Sequence, residues 1–249
     1  VEYFWQFGIS EDMVLDDAKA IAASDDAHDF LDDGPHVVTG PIAIEDAEPG
    51  DVLKVEVLEL EPRVPYGVIS NRHYKGALPE EFPKLERLET ASVDNPEAYG
   101  DVSVFCPIHQ EDGVWYGEVE DNGKTMTFPI SPFLGIMGVA PDTSEKVSSV
   151  PPINVGGNLD INELGVGSTL YLPIEVEGGL FYAGDPHFVQ GDGEVALTAL
   201  EGSLRGTVRL TLIKAGEAGI PKTSEPFVQA FGETEDYWIP IGLDADLDE

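Results

Sequence analysis

One stretch of the chain concentrates groups able to do chemistry: Gly184-Asp185-Pro186-His187-Phe188-Val189-Gln190-Gly191-Asp192-Gly193-Glu194. Asp185 and His187 are two positions apart, so on an extended backbone both side chains leave the same side. The same holds for Asp192 and Glu194. A tight connection between the two pairs brings their carboxylates and the imidazole together at the rim of a sheet. Such a donor set suits a divalent metal, with zinc the expected ion. A metal there acidifies a bound water and polarises an amide carbonyl. Glu194 is the preferred general base, able later to protonate the leaving amine. Phe181 and Tyr182 precede the stretch, Phe188 and Val189 lie within it, and carboxylates they bury need a partner. The competing reading is plainer: Asp-Gly pairs are ordinary turns, and a very acidic chain clusters carboxylates at its hydrated surface.

Other groups are weaker on pattern alone. His36 opens a run, Val37-Val38-Thr39-Gly40-Pro41, that reads as a strand, and a single histidine there suits capping or core packing. Asp51 is most simply a turn residue. Asn158 and Asp160, within Gly156-Gly157-Asn158-Leu159-Asp160, can hydrogen-bond a small polar substrate or cap a short turn. His28, His73 and His109 sit in polar or loop-like surroundings and receive no role. Cys106, within Val104-Phe105-Cys106-Pro107-Ile108, reads as a packed small hydrophobe more than as a nucleophile. No G-x-S-x-G elbow, phosphate-cradling G-x-x-x-x-G-K-[ST] or H-E-x-x-H is present.

The elements that must position these groups are mostly strands. Val52 to Leu60 alternates apolar and charged residues, placing Val55 and Val57 on one face and Lys54 and Glu56 on the other. Val114 to Val119 and Lys124 to Ile130 flank Asp121-Asn122-Gly123, a hairpin signal. Ser168 to Glu177, Gly179 to Ala183, Glu194 to Leu200 and Leu204 to Ile213 read as further strands between glycine-containing breaks. Ser10 to Asp33, dense in Asp and Ala, predicts one short helix followed by a solvated loop. The 27 glycines and 19 prolines fit many turns between short strands. Nothing divides the chain by composition, so one β-rich domain is expected.

Charge excludes whole classes of partner. Against 48 Asp and Glu stand 13 Lys and Arg, a formal net charge of -35. Such a chain repels phosphate, so no nucleic-acid partner is expected. Self-repulsion weakens the folded state at low ionic strength, whereas at molar salt the Debye length is only about 3 Å. The acidic residues are spread along the chain, which points to a halophile-type surface. The absence of a long apolar run argues against a membrane span. A start without a basic, then apolar, leader pattern and a lone cysteine favour a cytoplasmic protein.

Four blocks, in order, resemble the acetamidase/formamidase family: PHVVTGPIAIEDAEPGDVLKVEVLEL at 35 to 60, PISPFLGIMGVAP at 129 to 141, VGGNLDINELGVGSTLYLPIEV at 155 to 176 and GGLFYAGDPHFVQGDGEVALTALE at 178 to 201. The likeness implies a mainly β fold, a β-sandwich with few short helices over residues 35–249, after a divergent acidic segment at 1–34. It implies hydrolysis of short aliphatic amides such as formamide and acetamide to carboxylate and ammonia. Asp185, His187, Asp192 and Glu194 fall in the most recognisable signature of that family, His36 and Asp51 in its first, Asn158 and Asp160 in its third. The roles are then expected, on chemical grounds, to divide as follows. Asp185, His187, Asp51 and His36 hold a divalent metal, zinc by expectation, and Glu194 and Asp192 are catalytic. Asn158, Asp160 and Gln190 bind the amide. The chain resembles a divergent or truncated, halophile-type member. Sheet edges left open by missing outer segments favour a homo-oligomer. Two alternatives stay open: a non-catalytic metal- or ligand-binding sandwich, and a hydrolase of lactam-type amides.

Overall fold

The computed structural model describes residues 9–24, 34–71, 76–78, 102–224 and 226–243. His28, His73 and the loop expected after the acidic helix lie outside them. A 3-10 turn at Glu11–Met13 precedes helix α1, Asp16–Ala23, whose first turn carries Asp16 and Asp17 at the positive end of the helix dipole. The remaining elements are strands, in chain order β1 Val38–Ile42, β2 Val52–Pro62, β3 Tyr66–Asn71, β4 Val102–Glu111, β5 Val114–Asp121, β6 Lys124–Pro129 and β7 Phe133–Gly138. They continue as β8 Gly156–Asn158, β9 Thr169–Pro173, β10 Phe181–Val189, β11 Leu200–Glu201, β12 Leu204–Ile213, β13 Phe231–Glu233 and β14 Trp238–Pro240. The fold is mainly β and antiparallel, as the alternating patterns predict.

The chain divides into two compact units, each assembled from separate stretches. The first takes the described residues of Val1–Ala27, Pro62–Ser131 and His187–Leu204. Its strands run β6-β5-β4-β3-β11, with the last residues of β10 beside β11. The β5–β6 hairpin turns on Asn122 and Gly123, both at positive φ (51° and 71°), with Asp121 paired to Lys124. That is the two-residue turn whose twist matches the strands it joins. Ile9 and Val14 from the acidic opening segment join Tyr66, Cys106, Ile108, Phe188 and Leu200 in one core. The described opening residues therefore belong to this unit. Cys106 has no exposed surface, and burial pushes its thiol above the ordinary range, which suits packing and not nucleophilic attack.

The second unit takes the described residues of His28–Glu61, Pro132–Pro186 and Arg205–Glu249. Five strands, ordered β12-β2-β9-β13-β14, form one sheet. Val55 and Val57 are buried while Lys54 and Glu56 are half-buried, so the alternation read in β2 sets its register. Val55 pairs with Leu170 and Lys54 with Tyr171. Val52, Tyr171, Ile213, Phe227 and Phe231 pack together on this sheet. A separate set of strands places β1 on β10 and β8 on β7, with β7 next to β10. Strand β10 starts in this unit and its residues from His187 onward belong to the other.

One segment departs from the sequence expectation. Glu194 to Leu200, read as a strand, instead forms a 3-10 turn at Asp192–Glu194 followed by irregular backbone, and only Leu200–Glu201 pairs. Glu194 and Leu197 have φ of 43° and 59°, left-handed values that interrupt extended structure. Among the described residues no helix is long and apolar enough to cross a membrane.

Candidate functional site

In the second unit the site is built around Gly135 of β7. The chain leaving β8 is held against that strand by the Leu159 and Asp160 N–H groups, which donate to the Gly135 carbonyl at 3.0 and 3.1 Å. Asp160 and Asp185 both take left-handed backbone, φ 48° and 50°. Aspartate tolerates that region better than most residues, and such positions gather at functional sites. The consequence is convergence. A Cβ added at Gly135 would stand 2.6 Å from Asp160 Oδ1 and 2.6 Å from Asp185 Oδ2, so only glycine leaves room for both carboxylates.

His36 reaches the same place through strand pairing. Val38 of β1 is the register partner of Gly184, which carries His36 alongside Asp185. Its Nε2 lies 4.0 Å from Asp185 Oδ2, and the two side chains are only 15 % and 17 % exposed. Nδ1 is hydrogen-bonded to Ser149 Oγ at 2.8 Å. Ser149 thereby fixes the ring, and Nε2 is the nitrogen presented to the carboxylate. A cavity of about 530 Å³ opens beside this pair, with His36, Ser149 and Tyr182 in its wall.

A second group of similar composition lies in the first unit. His187 is fully buried, its Nδ1 2.9 Å from Gln190 Oε1 and its Nε2 3.2 Å from Glu201 Oε2. His187 and Glu201 are cross-strand partners in β10 and β11. His187, Glu194 and Glu201 each offer one ligand atom, all within 4.8 Å of one another. Glu194 thus lies within that distance of the imidazole, whereas Asp192, exposed in the same turn, is not one of that trio. Gln190 orients the ring. Glu201 escaped sequence reasoning because the segment before it was taken as one continuous strand.

The remaining expected residues fall elsewhere. Asn158 uses its amide to donate to the Val150 carbonyl at 3.0 Å. Asp51, expected as a metal ligand, has both oxygens engaged by protein donors. Oδ2 accepts from Lys214 Nζ at 2.7 Å and from the Glu48 N–H at 3.0 Å, and Oδ1 accepts from the Ala215 N–H at 2.9 Å. Burial pushes its carboxyl upward, but the Lys214 and backbone hydrogen bonds outweigh that and hold it below the usual carboxylate range. Asp51 is a clamp between a turn and the end of β12, not a neighbour of the cluster at Gly135.

This clamp makes a pH-dependent contribution. A carboxylate whose folded value is depressed stabilises the fold above its unfolded value, and loses that effect as pH falls through the folded one. Asp51→Asn should cost about 2 kcal/mol at neutral pH, mostly from the buried donors it leaves poorly matched. In denaturant titrations the deficit should shrink below about pH 4. Bound metal per chain should not change. Loss of metal with an unaltered unfolding midpoint is the result that would restore Asp51 as a ligand.

A profile of the acetamidase/formamidase family matches residues 11–146 and 143–243. The chain belongs to that family. It is 27% identical to the formamidase of Methylophilus methylotrophus over 79% of its own length and 57% of that protein. It is 28% identical to the acetamidase of Mycolicibacterium smegmatis, covering 83% of this chain and 61% of that one. The crystal structure of an acetamidase from Bacillus halodurans superposes with a TM-score of 0.67 at 27% identity, over 88% of this chain and 62% of the other. The chain spans about three-fifths of the length of these relatives.

Proposed function

We propose that this protein hydrolyses the C–N bond of carboxamides to a carboxylate and ammonia. The observation that supports it is the convergence of Asp160, Asp185 and His36 at the bare face of Gly135, in a chain of the acetamidase/formamidase family. The residues fit a divalent cation. Two carboxylates aimed at one spot repel each other unless a positive charge lies near, and carboxylate oxygens are ligands that zinc accepts. Asp160 and Asp185 would hold the ion. When bound, it polarises the amide carbonyl and lowers the pKa of a coordinated water.

His36 does the proton work in this reading. Its Nε2 accepts the proton of the attacking water as the C–O bond forms, then returns it to the nitrogen as the C–N bond breaks. Ser149 keeps Nδ1 occupied, so the ring stays in the orientation that transfer needs. His187, Glu194 and Glu201 also offer ligand atoms to a cation, and the metal stoichiometry per chain reports how many ions are held.

Ammonia release from acetamide and longer amides should be measured at molar KCl, before and after chelation and zinc replenishment. Release that chelation removes and zinc restores is expected. Release indifferent to chelation would remove the cation from the mechanism. A folded protein that binds zinc and liberates nothing would make it a binding module. The setting supported by the net charge of -35 is a salt-rich cytoplasm. Self-association is supported by strand β14 at the sheet edge, where Trp238 and its neighbour Tyr237 are 82% and 62% exposed.

A further inference from the structure

The cavity beside His36 is far larger and more apolar than formamide or acetamide requires. Its volume of about 530 Å³ lies within the range of sites that enclose drug-sized ligands. Val38, Ile136, Val147, Ile153 and Leu180 supply its apolar wall. The polar contribution is concentrated in a few groups, notably His36 with its hydrogen-bonded Ser149, and Tyr182. Burial pushes the Tyr182 phenol upward, so at neutral pH it is a neutral hydroxyl and adds no charge to the wall. Gly138 and Gly157 border that hydroxyl, and a Cβ at Gly138 would come within 2.7 Å of it.

Chemistry follows from this division. The carboxamide belongs at the His36 end, beside Asp185, because that is where donors and charge are found. The rest of the molecule then meets aliphatic side chains. A substrate with a single methyl beyond its carboxamide leaves most of that wall facing water, whereas a longer acyl chain covers it. Among the described lining residues none carries the fixed charge that an acidic acyl chain needs.

We infer that the substrate is an amide of a medium-length apolar carboxylic acid, with its acyl chain lying along Val38, Ile136, Val147, Ile153 and Leu180 and its carboxamide at His36. This rests on the amide-hydrolysis reading and specifies its substrate class. Val147 is the side chain to alter, because it is 46% exposed on irregular backbone and a larger residue there disturbs no core.

The test compares acetamide, butyramide and hexanamide at molar KCl, on the unaltered chain and on Val147→Phe. Ammonia release gives kcat/KM, and saturation-transfer NMR gives binding independently of turnover. The expected result is a kcat/KM for hexanamide at least about tenfold above that for acetamide. Val147→Phe should remove most of that gain, read as the ratio of hexanamide to acetamide kcat/KM. Acetamide turned over fastest, with hexanamide neither bound nor hydrolysed, overturns the inference and leaves the amidase reading standing. Hexanamide bound in the unaltered chain and not in Val147→Phe, with no ammonia from any amide, keeps the cavity assignment and removes the amidase. Neither binding nor release removes both.

Discussion

Asp185→Asn should lower amide turnover by about a thousandfold while the thermal midpoint stays close to that of the unaltered chain. The substitution keeps the shape of the side chain and removes one of the two charges that converge at Gly135. It should therefore also weaken zinc uptake, read by equilibrium dialysis. His36→Gln tests the other half of the arrangement. It removes the group that carries the proton, so kcat should fall about a hundredfold or more with KM little changed. Zinc uptake should persist there, because the carboxylates remain. The pair of variants separates holding the ion from moving the proton. An Asp185→Asn protein as active as its parent would end the assignment of this site, whatever His36→Gln does.

The second large effect concerns salt. Moving the protein from molar to about 0.1 M KCl lengthens the Debye screening distance from about 3 to about 10 Å. At a net charge of -35 the folded chain then repels itself over most of its surface. Several of its cations are committed locally: Lys214 serves Glu48 and Asp51, Arg63 serves Asp17, and Arg209 faces Glu56. The thermal midpoint should drop on the order of 10 °C between the two conditions. The drop should be smaller near pH 4, where exposed carboxyls begin to take up protons and the charge declines. A midpoint indifferent to KCl would mean that the acidic surface carries no dependence on salt.

How much of this could be read from sequence depended on range. Strand β2 was plain because its alternation is local, and the β5–β6 turn was plain because Asn-Gly dictates its own backbone. Helix α1 and the full extent of β12 were equally local. The candidate site is another matter. Asp185, His187 and Glu194 stood out by type and spacing, yet their partners come from elsewhere in the chain. Asp185 meets Asp160 and His36, and His187 meets Glu201, through strand register that residue types do not reveal. Left-handed backbone at Glu194 and Leu197 reroutes the segment that carries Glu201, and nothing in its composition announces it. Gly135 gave a signal that went unused: a glycine inside an apolar strand marks a close approach by something else. Asp51 reads equally as a ligand or as a clamp in sequence, because a carboxylate in a turn looks the same whether it faces a metal or, as in the structure, Lys214.

Cys106 offers a use unrelated to chemistry at the site. It is the chain's single sulfhydryl and lies at zero exposure among the core residues of the first unit. A thiol reagent can reach it only when that core opens. The labelling rate is therefore a clock for fluctuations of one unit alone, set against global unfolding followed by other probes. If that clock runs ahead of global unfolding, the two halves of the chain open in sequence and not together.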